Sequence, residues 1–174
     1  MAGKSSRDLY CWSWRSGGLT VYAASTEEGA FRVSLSLKDE GDPCSYFGQR
    51  VSSSFLRKDK TRNEAMILAV EAALRNKPVP KELPMDIQGT PFQWKAWRSI
   101  ARIPFGQTRT YGEVAAMMGK PGGARAVGQA MGHNPLPLFF PCHRVVGATG
   151  LGGFTGGLEI KEYLLQWEKE KAEH

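Results

Sequence analysis

The chain has 174 residues and a formal net charge of +6, enough length for one domain or two small ones with a real core. Its 41% hydrophobic and 23% charged content is that of a globular protein. No apolar run approaches the roughly 18 residues a membrane helix needs, and the polar start has no signal-peptide core. Cys11, Cys44 and Cys142 form neither a paired framework nor a Cys-x-x-Cys, so a reducing interior is expected: the cytoplasm, or the nucleus of a eukaryote. With no histidine before His133, a zinc site in the first half lacks nitrogen ligands. No metal or other cofactor is expected.

Leu9 to Trp14, Leu19 to Ala24 and Phe31 to Leu37 read as three strands, with Gly17-Gly18 as a hairpin turn. Lys38 to Pro43 is a polar loop. Thr61 to Glu64 has a capping-box pattern, and Met66, Ile67, Val70, Ala73 and Leu74 form a helical stripe up to Pro78. This half predicts a small antiparallel sheet covered by a helix, a scaffold without chemistry. Lys77 to Pro84, with three prolines, predicts a linker between an N-terminal domain, 1–80, and a C-terminal domain, 81–174.

The second half is helical. Thr90-Pro91-Phe92-Gln93 predicts a capped helix to about Ala101 or Arg102, and Thr110 to Glu113 caps a short helix to Met118. A turn over Gly119 to Gly123 leads to a second short helix, Ala124 to Met131, so the pair is a helix-turn-helix candidate. Arg125, Gly128, Gln129 and Gly132 share one side of that second helix; Ala126, Val127, Ala130 and Met131 share the other. Glycine costs about 1 kcal/mol against alanine in a helix. Two on one face imply a close approach, by a neighbouring helix or by a nucleic-acid backbone.

Charge is concentrated here. Between Phe92 and Arg144, seven basic residues (Lys95, Arg98, Arg102, Arg109, Lys120, Arg125, Arg144) stand against one acid, Glu113, and carry the whole excess of +6. Such a field suits a polyanion, although a solvated face reads the same way. Gly147 to Gly157 is a glycine-rich loop. The last helix starts near Glu159 and turns Ile160, Leu164 and Trp167 inward, with Glu168 on an adjacent face, where a solvent-facing acid is the ordinary reading.

The chemistry centres on Leu138 to Val146. An apolar strand-like run ends at Pro141, then Cys142, His143 and Arg144 precede two valines. Cys142 by itself is compatible with a small buried hydrophobe. A thiol, an imidazole and a fixed cation together suggest a nucleophile with a base. Neighbouring residues on an extended chain point to opposite faces, so Cys142 and His143 can cooperate only if the chain bends or a water bridges them; a purely structural His143 is the other reading. A thiol near pKa 8.5 is only about 3% thiolate at pH 7. Lowering that pKa gains little, because nucleophilicity falls with it. Alignment with the electrophile gains far more.

These residues carry a resemblance. Pro141-Cys142-His143-Arg144-Val145 after Asn134-Pro135, with Thr90 to Gln93, Ile103 to Gly106, Arg125 to Gly128 and Gly156-Gly157-Leu158, resembles the O6-alkylguanine-DNA alkyltransferases from about Thr90 to Glu168. The resemblance implies an α/β (α+β) protein: a ribonuclease H-like roll, then a winged-helix-like helix-turn-helix domain carrying the active site. It implies irreversible single-turnover transfer of an alkyl group from O6-alkylguanine, and O4-alkylthymine as a further substrate, to Cys142. Double-stranded DNA would be bound through the minor groove by a monomer, with cooperative binding along DNA left open.

The residue roles are likewise implied by the resemblance. Cys142, a water, His143 and Glu168 would form a relay. Arg125 would enter the duplex while Gly128, Gln129 and Gly132 lie in the groove beside Thr110. Tyr111 would assist phosphate rotation and donate toward the guanine ring, and Asn134 would fix the turn before the active site. The carbonyls of Cys142 and Val145 would read the exocyclic amine, Thr155 and Gly156 would face O6, and Met131 would line the wall. Phe154 stands where the family usually has tyrosine, and Thr110 replaces a common serine. The thiol separates this chain from silent relatives with tryptophan there. Two other readings remain: a cysteine hydrolase using Cys142 and His143, and a non-catalytic, damage-sensing DNA-binding protein.

Overall fold

The computed structural model describes residues 7–174, and of Ser54 the backbone alone. The three expected strands form an antiparallel meander: β1 (Arg7–Ser16), β2 (Leu19–Ser25) and β3 (Ala30–Ser36). Gly17 turns the first hairpin at φ 57°. A fourth strand, β4 (Ser53–Lys58), adds to the free side of β1 and runs parallel to it, with Leu9 opposite Leu56. Its sequence, Ser-Ser-Phe-Leu-Arg-Lys, is too short and polar to alternate, so pairing rather than patterning makes it a strand.

The whole of β2 is buried because both sheet faces are covered. On one face Leu9, Cys11, Tyr22 and Ala24 meet Tyr46 and Phe47 of α1 (Pro43–Gly48), and the Tyr22 and Tyr46 rings stack 4.0 Å apart. On the other lies α2 (Lys60–Leu74). Its Asn63 donates to the Tyr10 carbonyl at 2.9 Å and accepts from Ser25 Oγ at 2.8 Å, and Trp14 Nε1 donates to Glu71 at 2.9 Å. Asp59, not Thr61, caps this helix, accepting from Arg62 N at 3.0 Å; Thr61 falls inside the first turn. The helix stops before Pro78. Asn76 turns left-handed at φ 52°, and Lys77 N and Asn76 N close back onto the carbonyls of Ala72 and Ala73.

In the second half, α3 (Pro91–Ile100) and α4 (Tyr111–Met117) open on complete capping boxes at Thr90/Gln93 and Thr110/Glu113, as expected. α5 (Ala124–Gly132) follows the glycine-bearing turn. Trp97 of α3 donates to the Ala130 carbonyl of α5 at 2.9 Å and stacks on Phe140 with ring centroids 5.9 Å apart. Leu138 to Phe140 is no strand. Leu138 has φ 74° and Phe140 N bonds back to Leu136 O at 2.9 Å, so a tight turn buries Leu136, Leu138 and Phe140 together. A one-turn 3₁₀ helix, Cys142–Arg144, comes next. Then β6 (Val145–Val146) pairs parallel with β5 (Arg109–Thr110), and α6 (Leu158–Ala172) closes the chain.

The described chain divides into two compact units, one running to Glu71 and resuming over Val79–Ile87, the other comprising Ala72–Pro78 and Gln88–His174. The chain crosses between the units three times, at 71/72, 78/79 and 87/88, and most of the proline-rich segment, from Val79 on, lies in the first unit. Ala30 N donates to Pro84 O and Asp86 N to Ala30 O, each at 2.8 Å, and Arg7 pairs with Asp86 at 3.1 Å. Gly29 permits this seating: its φ is 144°, and a Cβ there would lie 2.3 Å from Pro84 O. Gly29→Ala is therefore expected to cost about 2 kcal/mol of stability. Urea unfolding checks this, and an unchanged midpoint would mean that Val79–Ile87 is not held against β3.

Candidate active site

Cys142 and His143 share the 3₁₀ turn, so the chain bends where an extended reading would have set them on opposite faces. Cys142 is 7% exposed and His143 fully buried. His143 Nε2 lies 2.6 Å from Glu168 Oε1. Burial alone would push the Glu168 carboxyl up, but the His143 hydrogen bond and the Arg144 guanidinium outweigh it and hold the group at about 2. Burial pushes His143 down, against the pull of Glu168. A carboxylate facing a neutral imidazole fixes the tautomer: the proton is on Nε2, donated to Glu168, and Nδ1 carries the lone pair. That Nδ1 is buried and makes no hydrogen bond. It can accept a proton, and it lies within the turn that carries the thiol. Burial pushes the Cys142 thiol up to about 11, with Asn134 and Lys161 acting against it, so the resting group is protonated.

Glu168 is not the solvent-facing acid of the ordinary reading. It is 3% exposed and also accepts from Arg144 Nε at 2.9 Å, Arg144 Nη2 at 2.9 Å and Gly106 N at 3.0 Å. Arg144 completes its own bonding by donating to Ile103 O at 2.7 Å. The basic footprint read from sequence therefore loses Arg144, whose charge is spent on Glu168. Lys95, Arg98, Arg102, Lys120 and Arg125 are exposed and Arg109 is half-buried.

Beside the thiol opens a cavity of about 680 Å³ lined by Tyr111, Ala124, Arg125, Gly128, Gln129, Met131, Gly132, Cys142, Gly153, Phe154 and Thr155. One helix supplies two walls of this arrangement. α5 buries Val127, Ala130 and Met131 and leaves Arg125, Gln129 and Gly132 exposed; Ala126, expected on the inner side, is exposed as well. A Cβ on Gly132 would meet nothing within 4 Å, and one on Gly128 only the Tyr111 ring at 3.8 Å. Among the described residues no helix packs closely against those glycines, so this face is open.

Asn134 donates to Phe140 O at 2.7 Å and accepts from Leu136 N at 3.0 Å, tying the turn between α5 and Cys142. Thr110 caps α4 and does not reach the cavity. The Tyr111 hydroxyl accepts from Gly153 N at 3.1 Å, and its ring sits where Gly152, at φ 73°, leaves room: a Cβ there would be 2.5 Å from the hydroxyl oxygen. Thr155 Oγ1 donates to Gly132 O at 3.2 Å, and Gly156 stands behind the Phe154 ring, outside the cavity wall. Val145 is fully buried and its carbonyl takes the Lys161 ammonium at 2.6 Å. Sequence reasoning missed Lys161, a charged residue in the inward stripe of α6 beside Ile160 and Leu164. The signal available was its place next to Ile160, one turn before Leu164.

Residues 91–170 match the sequence model described as 6-O-methylguanine DNA methyltransferase, DNA binding domain. The chain is 50% identical over 92 residues to a methylated-DNA–protein-cysteine methyltransferase of Mycobacterium tuberculosis, covering 52% of this chain and 56% of that protein. The match thus spans about half the length of such mycobacterial relatives. It is 36% identical over 149 residues to the inducible methylated-DNA–protein-cysteine methyltransferase of Bacillus subtilis, covering 85% of this chain and 83% of the relative. A crystal structure of Mycobacterium tuberculosis OGT in complex with DNA superposes with a TM-score of 0.73 at 31% identity, over 93% of this chain and 94% of that one.

The Glu168 carboxyl lies below its ordinary 4.5 in the folded chain, so it stabilises the fold above about pH 4.5 and that contribution is lost as pH falls toward 2. Glu168→Gln leaves Arg144 buried without its counter-ion and is expected to cost about 3–5 kcal/mol at pH 7. It should also flatten the acid limb of stability between those pH values. Denaturant unfolding across the range checks both, and an acid limb as steep as that of the parent chain would remove Glu168 from this account.

Proposed function

Because the chain belongs to the methylated-DNA–protein-cysteine methyltransferase family, we propose that it repairs DNA directly, by moving an alkyl group from O6-alkylguanine in a duplex to Cys142. The observation that carries the reading is the buried, unpartnered Nδ1 of His143, held by Glu168 in the same turn as a thiol that opens on the cavity. Cys142 Sγ attacks the alkyl carbon, the carbon–O6 bond breaks and its electron pair stays with the guanine, which takes up a proton in exchange. The thiol proton passes to His143 Nδ1, with a water as the bridge, and Glu168 stabilises the imidazolium that forms. The product is a thioether, for which the site offers no hydrolysis route, so each molecule reacts once.

The target base has to leave the stack to reach a buried thiol. Arg125, exposed at the cavity rim, would take the vacated space, and the open Gly128/Gly132 face would admit the minor-groove backbone. The Tyr111 hydroxyl is engaged with Gly153 at rest, and would exchange that partner for the substrate as the loop adjusts. The Val145 carbonyl can read the exocyclic amine only with its remaining lone pair, since Lys161 already occupies one. The first unit serves as scaffold, and the cytoplasm or a nucleus is the compartment of action. Against a cysteine hydrolase stands the cavity's exposed cationic, glycine-bearing rim, which suits a nucleic-acid backbone better than an acyl substrate.

Mixed with equimolar duplex carrying O6-methylguanine, the protein should gain the mass of one methyl group, on Cys142, and stop at one equivalent. Cys142→Ala should abolish the gain while DNA binding persists; DNA-bound active protein without a mass change would favour the damage-sensing reading. Arg125→Ala should slow repair of duplex DNA by about tenfold or more, the penalty of unaided extrusion, and leave reaction with the free modified base nearly unchanged. Equal losses on both substrates would remove Arg125 from that role.

A further inference from the structure

His133 ends α5, and the reaction proposed above makes no use of it. It is exposed at the C-cap, where its backbone N–H donates to Ala130 O at 3.2 Å. Its ring Nδ1 lies 2.8 Å from the Gln129 carbonyl oxygen. A carbonyl can only accept, so Nδ1 carries a proton in either charge state and tethers the ring to the last turn. Nε2, on the far side of the ring, has no hydrogen bond among the described residues. Arg125, Gln129 and His133 stand at i, i+4 and i+8 and share the outer side of the helix with the bare Gly128 and Gly132. Eight residues of helix advance about 12 Å, roughly three to four nucleotide steps along one strand. On the elements packed against α5 the charged and titratable groups are Lys95 and Arg98 of α3, Tyr111 and Glu113 of α4, and Cys142 across the cavity. The one carboxylate among them, Glu113, accepts from Thr110 N at 2.6 Å. Arg98 lies 5.2 Å from the Trp94 ring centroid, and the Tyr111 hydroxyl is bonded to Gly153. The rim loop brings Thr155 Oγ1 to Gly132 O without a charge.

We propose that His133 is a further DNA-contacting residue: its tethered ring presents Nε2, in the charged form, to a backbone phosphate of the duplex, so that DNA is bound more tightly as the pH falls from 8 to 6. The inference rests on the outer side of α5 being the face laid on DNA. Imidazole is the side chain whose charge ordinarily changes in this range. Protonation adds a second N–H to the ring while the first stays on Gln129 O, so the new donor is aimed outward by a bond already made. A phosphate oxygen accepts it as a charge-assisted hydrogen bond. The end of a helix favours a cation as well, because the last carbonyls gather there. Proton uptake and DNA binding then strengthen each other. Of the other two histidines, His143 is fully buried, and His174 stands at the end of α6 with the same tether, Nδ1 to Glu170 O at 2.8 Å. His174 has the tether without the glycine-bearing face, and so separates a capping role from a contact with DNA.

The affinity of the full chain for an unmodified duplex is measured at pH 6 and at pH 8 over a range of salt concentrations. Each phosphate neutralised changes the slope of log affinity against log salt by about 0.9, which is about eightfold in affinity at 0.1 M salt. The parent chain should therefore bind about fivefold to tenfold more tightly at pH 6 than at pH 8, with a slope steeper by about 0.9. His133→Gln should remove both differences. His133→Lys should bind tightly at either pH, and His174→Gln should behave as the parent does. A parent affinity indifferent to pH, or a pH response that survives His133→Gln, overturns the inference. So does a loss in His133→Gln that is equal at both pH values with the salt slope unchanged, which would set Nε2 on a base edge instead of a phosphate. An unmodified duplex offers no alkyl group, so the two readings fail separately. DNA bound with this pH response but not repaired when methylated would sink the repair reaction alone; repair with no response to His133 would sink this inference alone.

Discussion

One buried carboxylate organises the reactive half of the chain. Glu168 accepts hydrogen bonds from His143, from Arg144 through two nitrogens, and from the Gly106 amide, and so joins α6, the 3₁₀ turn and the loop after α3. Burying an ion pair repays its desolvation only when the remaining donors and acceptors are satisfied. Here they are: Arg144 ends on the Ile103 carbonyl and leaves little of the carboxylate unused. Burial keeps His143 neutral against the pull of Glu168, and the Arg144 charge acts in the same direction as burial.

The packing of α5 explains how so buried a thiol still opens on a large cavity. Trp97 grips the helix from behind through the Ala130 carbonyl, and Trp97 also stacks on Phe140, which leads into the turn. The inner side of α5 and the approach to Cys142 are thus seated on one aromatic surface. Met131 belongs to the core and to the cavity wall at once, whereas Gly128 and Gly132 keep the outer side free of side chains. A rigid back and a bare front on the same three turns fix the distance between whatever lies on the outer face and the sulfur. Asn134 then sets the exit of the helix by holding both Leu136 N and Phe140 O.

What could be read in the sequence was what is decided locally. Thr90 and Thr110 announce their helices because a capping box involves four neighbouring residues, and the first three strands show in their aromatic and β-favouring composition. Elements made by long-range pairing were invisible. β4 exists because β1 offers a free edge, and Val79–Ile87 joins the first unit because Gly29 lets Pro84 approach. The apolar run Leu138 to Phe140 has the composition of a strand, but Asn134 and a left-handed Leu138 coil it into a turn. Charge misled in the opposite direction. Arg144 counted toward a surface field and is buried; Glu168 read as solvated and is the hub of the site. Hydrophobic periodicity could not report Lys161, since a charged residue in a buried stripe looks like a mistake until its partners are known.

The state of the thiol at rest is also a consequence of this burial. Held near 11 by burial, it is protonated at pH 7. A site evolved for indiscriminate reactivity would do the reverse and expose a thiolate. The protonated form guards against loss to peroxides and stray electrophiles, which attack exposed thiolates first. On the proposed reading, reactivity comes from the bound state: an electrophilic carbon aligned with sulfur, and a lone pair at His143 Nδ1 to take the proton. Protection of the thiol at rest and a neutral base beside it thus both follow from burying Cys142 and His143 in one turn against Glu168.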